Sequence, residues 1–138
     1  MSVDPNKIHQ RLQDALILWN DGRQEGGFLM ALITFAAVAK NRYPAKTDRE
    51  SFEQFYRDSM SPRISVEYRS KCHPVEHILY KYLRCNLVHE GGTPIDIEFQ
   101  DDGSTSIRAG GAPEFILKIG TGWFDFLVRS ARAALAEL

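Results

Sequence analysis

The sequence predicts a mainly α fold: a four-helix up-and-down bundle carrying one additional helix and a small β-hairpin inserted before the last helix. Three observations lead there. Apolar residues recur at helical spacing in five stretches, most of them framed by helix start and stop residues. The period changes to alternation in one place only, between Gly91 and Ile119. Finally, 138 residues with 43% hydrophobic and 25% charged content suffice for one globular domain spanning 1–138.

Asp4-Pro5 starts the first helix, with proline in the first turn, and Ile8, Leu12, Ala15, Leu16 and Trp19 follow at helical spacing up to Asn20-Asp21-Gly22. The second helix runs from about Gly27 to Arg42 and stops before Pro44. Its segment from Phe28 to Ala39 is apolar on nearly every side, which in a soluble chain belongs at the centre of a bundle or in a subunit interface. Thr47 and Glu50 form a capping box that opens the additional helix through Phe52, Phe55, Tyr56 and Met60. Residues 63–73 are polar and carry no periodic signal. His73-Pro74 opens the next helix, with Val75, Leu79, Leu83 and Leu87 on one stripe, and Gly91-Gly92 ends it. Ile95, Ile97 and Phe99 then alternate with acidic residues as a strand. Asp101-Asp102-Gly103-Ser104 is the turn, and Thr105 and Ile107 fit the returning strand. Phe115 to Ile119 fits a third short strand, and Thr121 caps a last helix reaching Leu135 and Leu138. The expected core is Leu12, Leu16, Leu32, Phe35, Leu79, Leu83, Leu87, Leu127 and Leu135.

A net charge of −1 gives no global attraction to nucleic acid or anionic lipid, so a nucleic-acid site has to be a local patch. Arg63, Arg69, Lys71, Lys81 and Arg84 supply one, against Glu67 and Glu76; residues 91–112 are instead acidic. The cysteines, Cys72 and Cys85, suggest a reducing compartment rather than a disulfide framework. They lie near His73, His77 and His89 without any paired Cys-x-x-Cys spacing, so no metal and no cofactor is expected. The N-terminus shows no apolar signal region, and the longest apolar run falls short of the ~20 residues that span a bilayer. A cytoplasmic location and no membrane partner are expected.

The chemistry is concentrated in Arg84-Cys85-Asn86-Leu87-Val88-His89, at the end of a helix and just before Gly91-Gly92. Arginine is a permanent cation that can fork onto a phosphate, and histidine moves a proton near neutral pH. On a straight α-helix at ~100° per residue, His77, Lys81, Cys85 and His89 form one drifting polar strip opposite the apolar stripe. Arg84 and His89 border that strip about 140° apart, so one pair does not point at one spot. Either the helix ends before His89 and the glycine loop swings the imidazole round, or two copies of the helix face each other across a twofold axis. Asn86 falls on the core side and needs a partner, a backbone carbonyl or His89.

These residues resemble the motif of HEPN domains (higher eukaryotes and prokaryotes nucleotide-binding), in which an arginine and a histidine are separated by a few residues, here four. In that family the motif lies toward the end of the third helix of a four-helix bundle. By this resemblance residues 5–21, 27–43, 74–90 and 121–138 are the four core helices, and 47–60 and 95–119 are insertions. The resemblance implies a symmetric homodimer and metal-independent RNA cleavage leaving 2′,3′-cyclic phosphate and 5′-hydroxyl ends. Arg84 would hold the scissile phosphate and His89 would be general base or acid, with Asn86, Lys81, His77 and Cys85 supporting or binding substrate. Many active members carry a polar residue directly after the arginine, where this chain has Cys85. The alternative is therefore a non-catalytic HEPN-like module that binds a nucleotide or a protein, such as an antitoxin or a nucleotidyltransferase partner. No Gly-rich phosphate loop, nucleophile elbow or metal-spaced carboxylate cluster supports another enzyme class.

Overall fold

The computed structural model describes residues 4–137. Met1 to Val3, and Leu138 at the end of the expected last helix, lie outside them. Five helices and five short strands make up the described chain. Helix α1, Pro5–Asn20, is capped by Asp4, whose Oδ1 accepts from the Asn6 amide at 3.0 Å. It buries Ile8, Leu12 and Ala15 against α2, Gln24–Arg42, while Leu16 is only half-buried. The two helices approach closely at Gly27, where a Cβ would stand 3.1 Å from the Ala15 carbonyl oxygen. The apolar helix α2 is central, as its composition requires: it packs on every other helix. Helix α3, Asp48–Ser59, carries the capping box, with the Thr47 hydroxyl accepting from the Glu50 amide at 3.1 Å.

The polar stretch before the next helix is a hairpin that periodicity does not reveal. Strands β1, Ser65–Tyr68, and β2, Lys71–Pro74, pair antiparallel through the two-residue turn Arg69-Ser70. Both turn residues have left-handed φ, +53° and +66°. Hairpin turns of this hand are usually signalled by Asn-Gly or Asp-Gly, and Arg-Ser gives no such signal. Helix α4 follows in three parts: an α-helical start Val75–His77, a π-helical stretch Ile78–Arg84 and an α-helical end Cys85–Glu90.

The expected hairpin at 95–108 does not form. Strand β3, Ile97–Gln100, pairs in parallel with β5, Leu117–Gly120, while β4, Ile107–Arg108, pairs antiparallel with the other edge of β5. The central place goes to the strand that buries most: Leu117 and Ile119 are enclosed, whereas β3 buries only Ile97 and β4 nothing fully. The turn between β3 and β4 is drawn over the corner that starts α5, Gly122–Leu135. Gly122 donates its amide to the Ser104 carbonyl at 2.9 Å, and a Cβ at Gly120 would collide with that oxygen at 2.1 Å. Thr121 does not cap α5 with its side chain; its hydroxyl accepts the Gly103 amide at 2.9 Å and fastens the same turn.

The core is one contiguous cluster around Phe28, Leu32, Phe35, Phe52, Leu79, Leu83, Trp123 and Leu127. Outside it, Ile95 is almost fully exposed and Phe115 is 64% exposed at φ +52°. A left-handed backbone costs an L-residue about 1–2 kcal/mol. Phe115→Gly is thus expected to stabilise the fold by up to about 1 kcal/mol after the added freedom of the unfolded chain is subtracted. Urea unfolding checks this, and a lower midpoint for the glycine variant contradicts it.

Candidate functional site

The π-helical stretch re-aims the side chains that an α-helical wheel lines up. Hydrogen bonds from i to i+5 make a wider turn than 3.6 residues, and such segments recur at functional sites. His77 accordingly meets Tyr82, five residues on, at 5.9 Å between rings. The single polar strip expected from His77 to His89 is therefore broken. Lys81 is exposed, its ammonium 5.5 Å from the Tyr82 ring. Ile78, which falls on the polar side of the α-helical wheel, is fully buried.

Arg84 closes the π-helical stretch. Its guanidinium carbon lies 5.3 Å over the Tyr80 ring, and one terminal nitrogen is 4.0 Å from the Cys85 sulfur. The buried Nε has no hydrogen-bond partner among the described residues. Arg57, also half-buried, faces Glu76 at 3.5 Å, whereas Arg84 makes no ion pair among the described residues. Its guanidinium meets a sulfur and a ring face but no oxygen among the described residues. His89 is exposed in the last turn and makes no hydrogen bond, ion pair or ring contact among the described residues.

The end of α4 bears on one of the two geometries left open by the sequence, the imidazole swung round by the glycine loop. The helix continues through His89 to Glu90, and Gly91 closes it at φ +79°. Asn86 Nδ2 donates to the Gly92 carbonyl at 2.7 Å, and Glu25 at the start of α2 accepts from the Thr93 amide at 2.6 Å. The glycine loop is tied down on both sides and does not turn the imidazole toward Arg84. Asn86 spends its amide on that loop rather than on His89. Along the α-helical end Cys85–Glu90, steps of ~100° per residue put positions 84 and 89 about 140° apart around the axis.

His77 is not on a solvated face. Its ring stacks on His73 at 5.2 Å, and Nδ1 is 3.6 Å from Glu53 Oε2, beyond hydrogen-bond reach. Glu53 is itself held by Arg49 Nε at 3.0 Å. Burial, and then the Arg49 charge, lower the His77 pKa from its ordinary 6.5, with Glu53 opposing. The unfolded chain takes up this proton at higher pH than the folded one. The stability is therefore complete above about pH 6.5 and is lost as the pH falls toward the folded-state value. The thermal midpoint is expected to fall between pH 7 and pH 5, with a shallower slope in His77→Gln; identical slopes would remove His77 from the account. Sequence reasoning missed Arg49, Glu53 and Tyr82, because their meeting with His77 needs both the α3–α4 packing and the π turn. The His73–His77 spacing was the only trace of it.

Among the described residues no three histidine, cysteine or acidic side chains converge as a metal site, and no helix is long and apolar enough to cross a membrane. No protein-family model matches this chain, and neither do curated proteins or solved structures.

Proposed function

We propose that this chain is a metal-independent endoribonuclease of the HEPN type, built on a four-helix bundle and working in the cytoplasm as a symmetric homodimer in which Arg84 and His89 of both subunits line one cleft. The observation that carries this reading is the Arg84 guanidinium, a half-buried arginine that meets a sulfur and a ring face but no oxygen of its own chain among the described residues. A desolvated cation without a counter-ion is a site for an anion, and a phosphodiester offers the bidentate oxygens that match its fork. His89, exposed one turn later, supplies proton transfer. In the reaction one imidazole takes the 2′-hydroxyl proton, the 2′ oxygen bonds to phosphorus, and the P–O5′ bond breaks. The second imidazole protonates the leaving oxygen, so that a 2′,3′-cyclic phosphate and a 5′-hydroxyl result. Arg84 meets the charge that develops on the phosphoryl oxygens. The twofold arrangement is part of this reading, and the separation of positions 84 and 89 around an α-helical end of α4 supports it.

The test is cleavage of end-labelled RNA in EDTA, with the ends identified chemically and the oligomeric state followed by sedimentation. Cyclic-phosphate ends from a dimer support the reading; a monomer at micromolar concentration removes the composite site. The alternative, a non-catalytic nucleotide- or protein-binding module paired with an antitoxin or a nucleotidyltransferase, is favoured by Cys85 beside the arginine and by exposed Val88 next to His89. A stoichiometric protein complex that forms with native chain and is lost in Val88→Asp, with no cleavage, would select it.

A further inference from the structure

The hairpin β1–β2 pairs with no other strand among the described residues. A two-stranded hairpin alone is at best marginal in water, so its attachments decide whether it stays closed. Beyond the burial of Val66 and Tyr68, two groups of contacts hold it. At the tip, Arg69 donates to both oxygens of Asp96, at 2.9 and 3.1 Å, and the Tyr68 hydroxyl donates to Oδ1 at 2.5 Å. These bonds, that of Arg69 foremost, hold the Asp96 carboxyl below its ordinary range, so the tip stays paired in mild acid. At the base, the His73 ring stacks on His77 of α4 at 5.2 Å, and the Tyr82 ring meets both of them edge to face, at 5.6 and 5.9 Å. The buried Nδ1 of His77 has no hydrogen-bond partner among the described residues. It lies 3.6 Å from Glu53 Oε2, an oxygen that already accepts from Arg49 Nε at 3.0 Å.

We propose that the stacked His73–His77 pair is a proton-operated latch between β2 and α4, closed while His77 is neutral and released when its Nδ1 takes up a proton. The groups around that nitrogen set the direction. Arg49 and Glu53 face it from α3, His73 from β2, and Tyr82 from α4 itself. Glu53 is already matched by Arg49 and Asp96 by Arg69, while Arg69 and Lys81 lie over the Tyr82 ring at 5.3 and 5.5 Å. A proton on His77 adds a further cation to this partly enclosed cluster. The new N–H has to compete with Arg49 for one oxygen of Glu53, and a second proton on His73 sets two like charges against each other. A histidine placed in this way converts a small change of pH into a change of packing. The release falls on β2, which has only β1 beside it, and not on α4, which packs on α2 and α3. The device stands independently of the ribonuclease reading, since it is read from the rings and the hairpin and not from cleavage.

The experiment is NMR of the full ¹⁵N,¹³C-labelled chain between pH 7 and pH 5. It follows the histidine ring shifts, the amide shifts, and hydrogen exchange corrected for its intrinsic pH dependence. The His77 ring is expected to titrate below its ordinary 6.5. On the same curve, amides of residues 71–73 should shift and lose protection severalfold, while the tip at 67–69 and helices α1 and α2 stay unchanged. His77→Gln should abolish this response. Arg49→Ala and His73→Gln each remove a positive neighbour and should move the transition to higher pH; Glu53→Gln should move it lower. Arg49 is largely exposed, so its variant keeps the fold and the test even where a change at His77 does not. No proton uptake by His77 down to pH 5, a His77 titration during which 71–73 stay still, the same response in His77→Gln, or protection lost evenly along the chain would overturn the proposal.

Discussion

Arg84→Ala and His89→Ala are each expected to lower RNA cleavage by about 10²–10⁴-fold, the range in which positioned proton transfer and charge stabilisation contribute, with little change in stability. The second half of this expectation separates a functional arginine from a structural one. Removing Arg84 sacrifices its contact with the Tyr80 ring, about 0.5–1 kcal/mol at a partly exposed site. It also removes a buried Nε that has no partner, and an unmade hydrogen bond of this kind costs about 1–3 kcal/mol. The two effects offset each other, so the thermal midpoint should stay within a few degrees of native. His89 is exposed and unbonded, and its loss should not move the midpoint either. Arg84→Lys retains charge but not the fork, so its activity should fall between native and alanine. Mixing the two inactive alanine variants gives a decisive readout. Heterodimers contain one intact arginine and one intact histidine on different chains and lack the second imidazole, so a return of cleavage that is only partial is expected, and only if the working pair is drawn across the twofold axis. An Arg84→Ala protein that cleaves like native, at any degree of folding, ends the ribonuclease reading.

Local patterns with a strong chemical cause were legible from the sequence. The Asp4 and Thr47 caps, the all-round apolar α2 and the glycine stop after Glu90 each express a requirement of the backbone within a few residues. What the sequence concealed depends on partners far along the chain. The Arg69-Ser70 turn carries no glycine or asparagine, and it rests on Asp96, twenty-seven residues later, for its hydrogen bonds. The strand Leu117–Gly120 wins the centre of the sheet by burial, which alternation in 95–107 could not reveal. In α4 the residue types were right and the angles were not. Nothing in Ile78-Leu79-Tyr80-Lys81-Tyr82-Leu83-Arg84 announces a π-helix, so the wheel placed His77 in solvent when it is packed against α3. Such departures from local expectation are where strained or functional geometry is found. Here one of them, the π-helical stretch Ile78–Arg84, ends at the arginine of the proposed site.

The largest loss of stability is expected from Trp123→Ala, about 3–5 kcal/mol, or a fall of roughly 10–20 °C in thermal midpoint for a chain of this length. Trp123 is fully buried at the start of α5, 5.5 Å from the Phe126 ring and 6.1 Å from Tyr56. Its indole nitrogen donates to the Ser106 carbonyl at 3.0 Å and so joins the helix to the sheet. That carbonyl also accepts the Gly120 amide at 2.8 Å and would not be orphaned. The cost is therefore mainly the cavity, and Trp123→Phe, which refills most of it, should recover more than half. The neighbouring Tyr56 gives the control of opposite sign. Its hydroxyl is buried without a partner among the described residues, and burial pushes its ionisation well above the ordinary value. Tyr56→Phe removes an unsatisfied polar group while keeping the ring, so it should be neutral or raise stability by about 1 kcal/mol. Urea unfolding of the three variants settles the matter. If Trp123→Ala and Tyr56→Phe shift the midpoint in the same direction by similar amounts, the packing of this corner is not what the structure describes. With the predicted signs, the α5–sheet junction is the rigid side of the molecule, leaving the end of α4 free to lose Arg84 or His89 without unfolding.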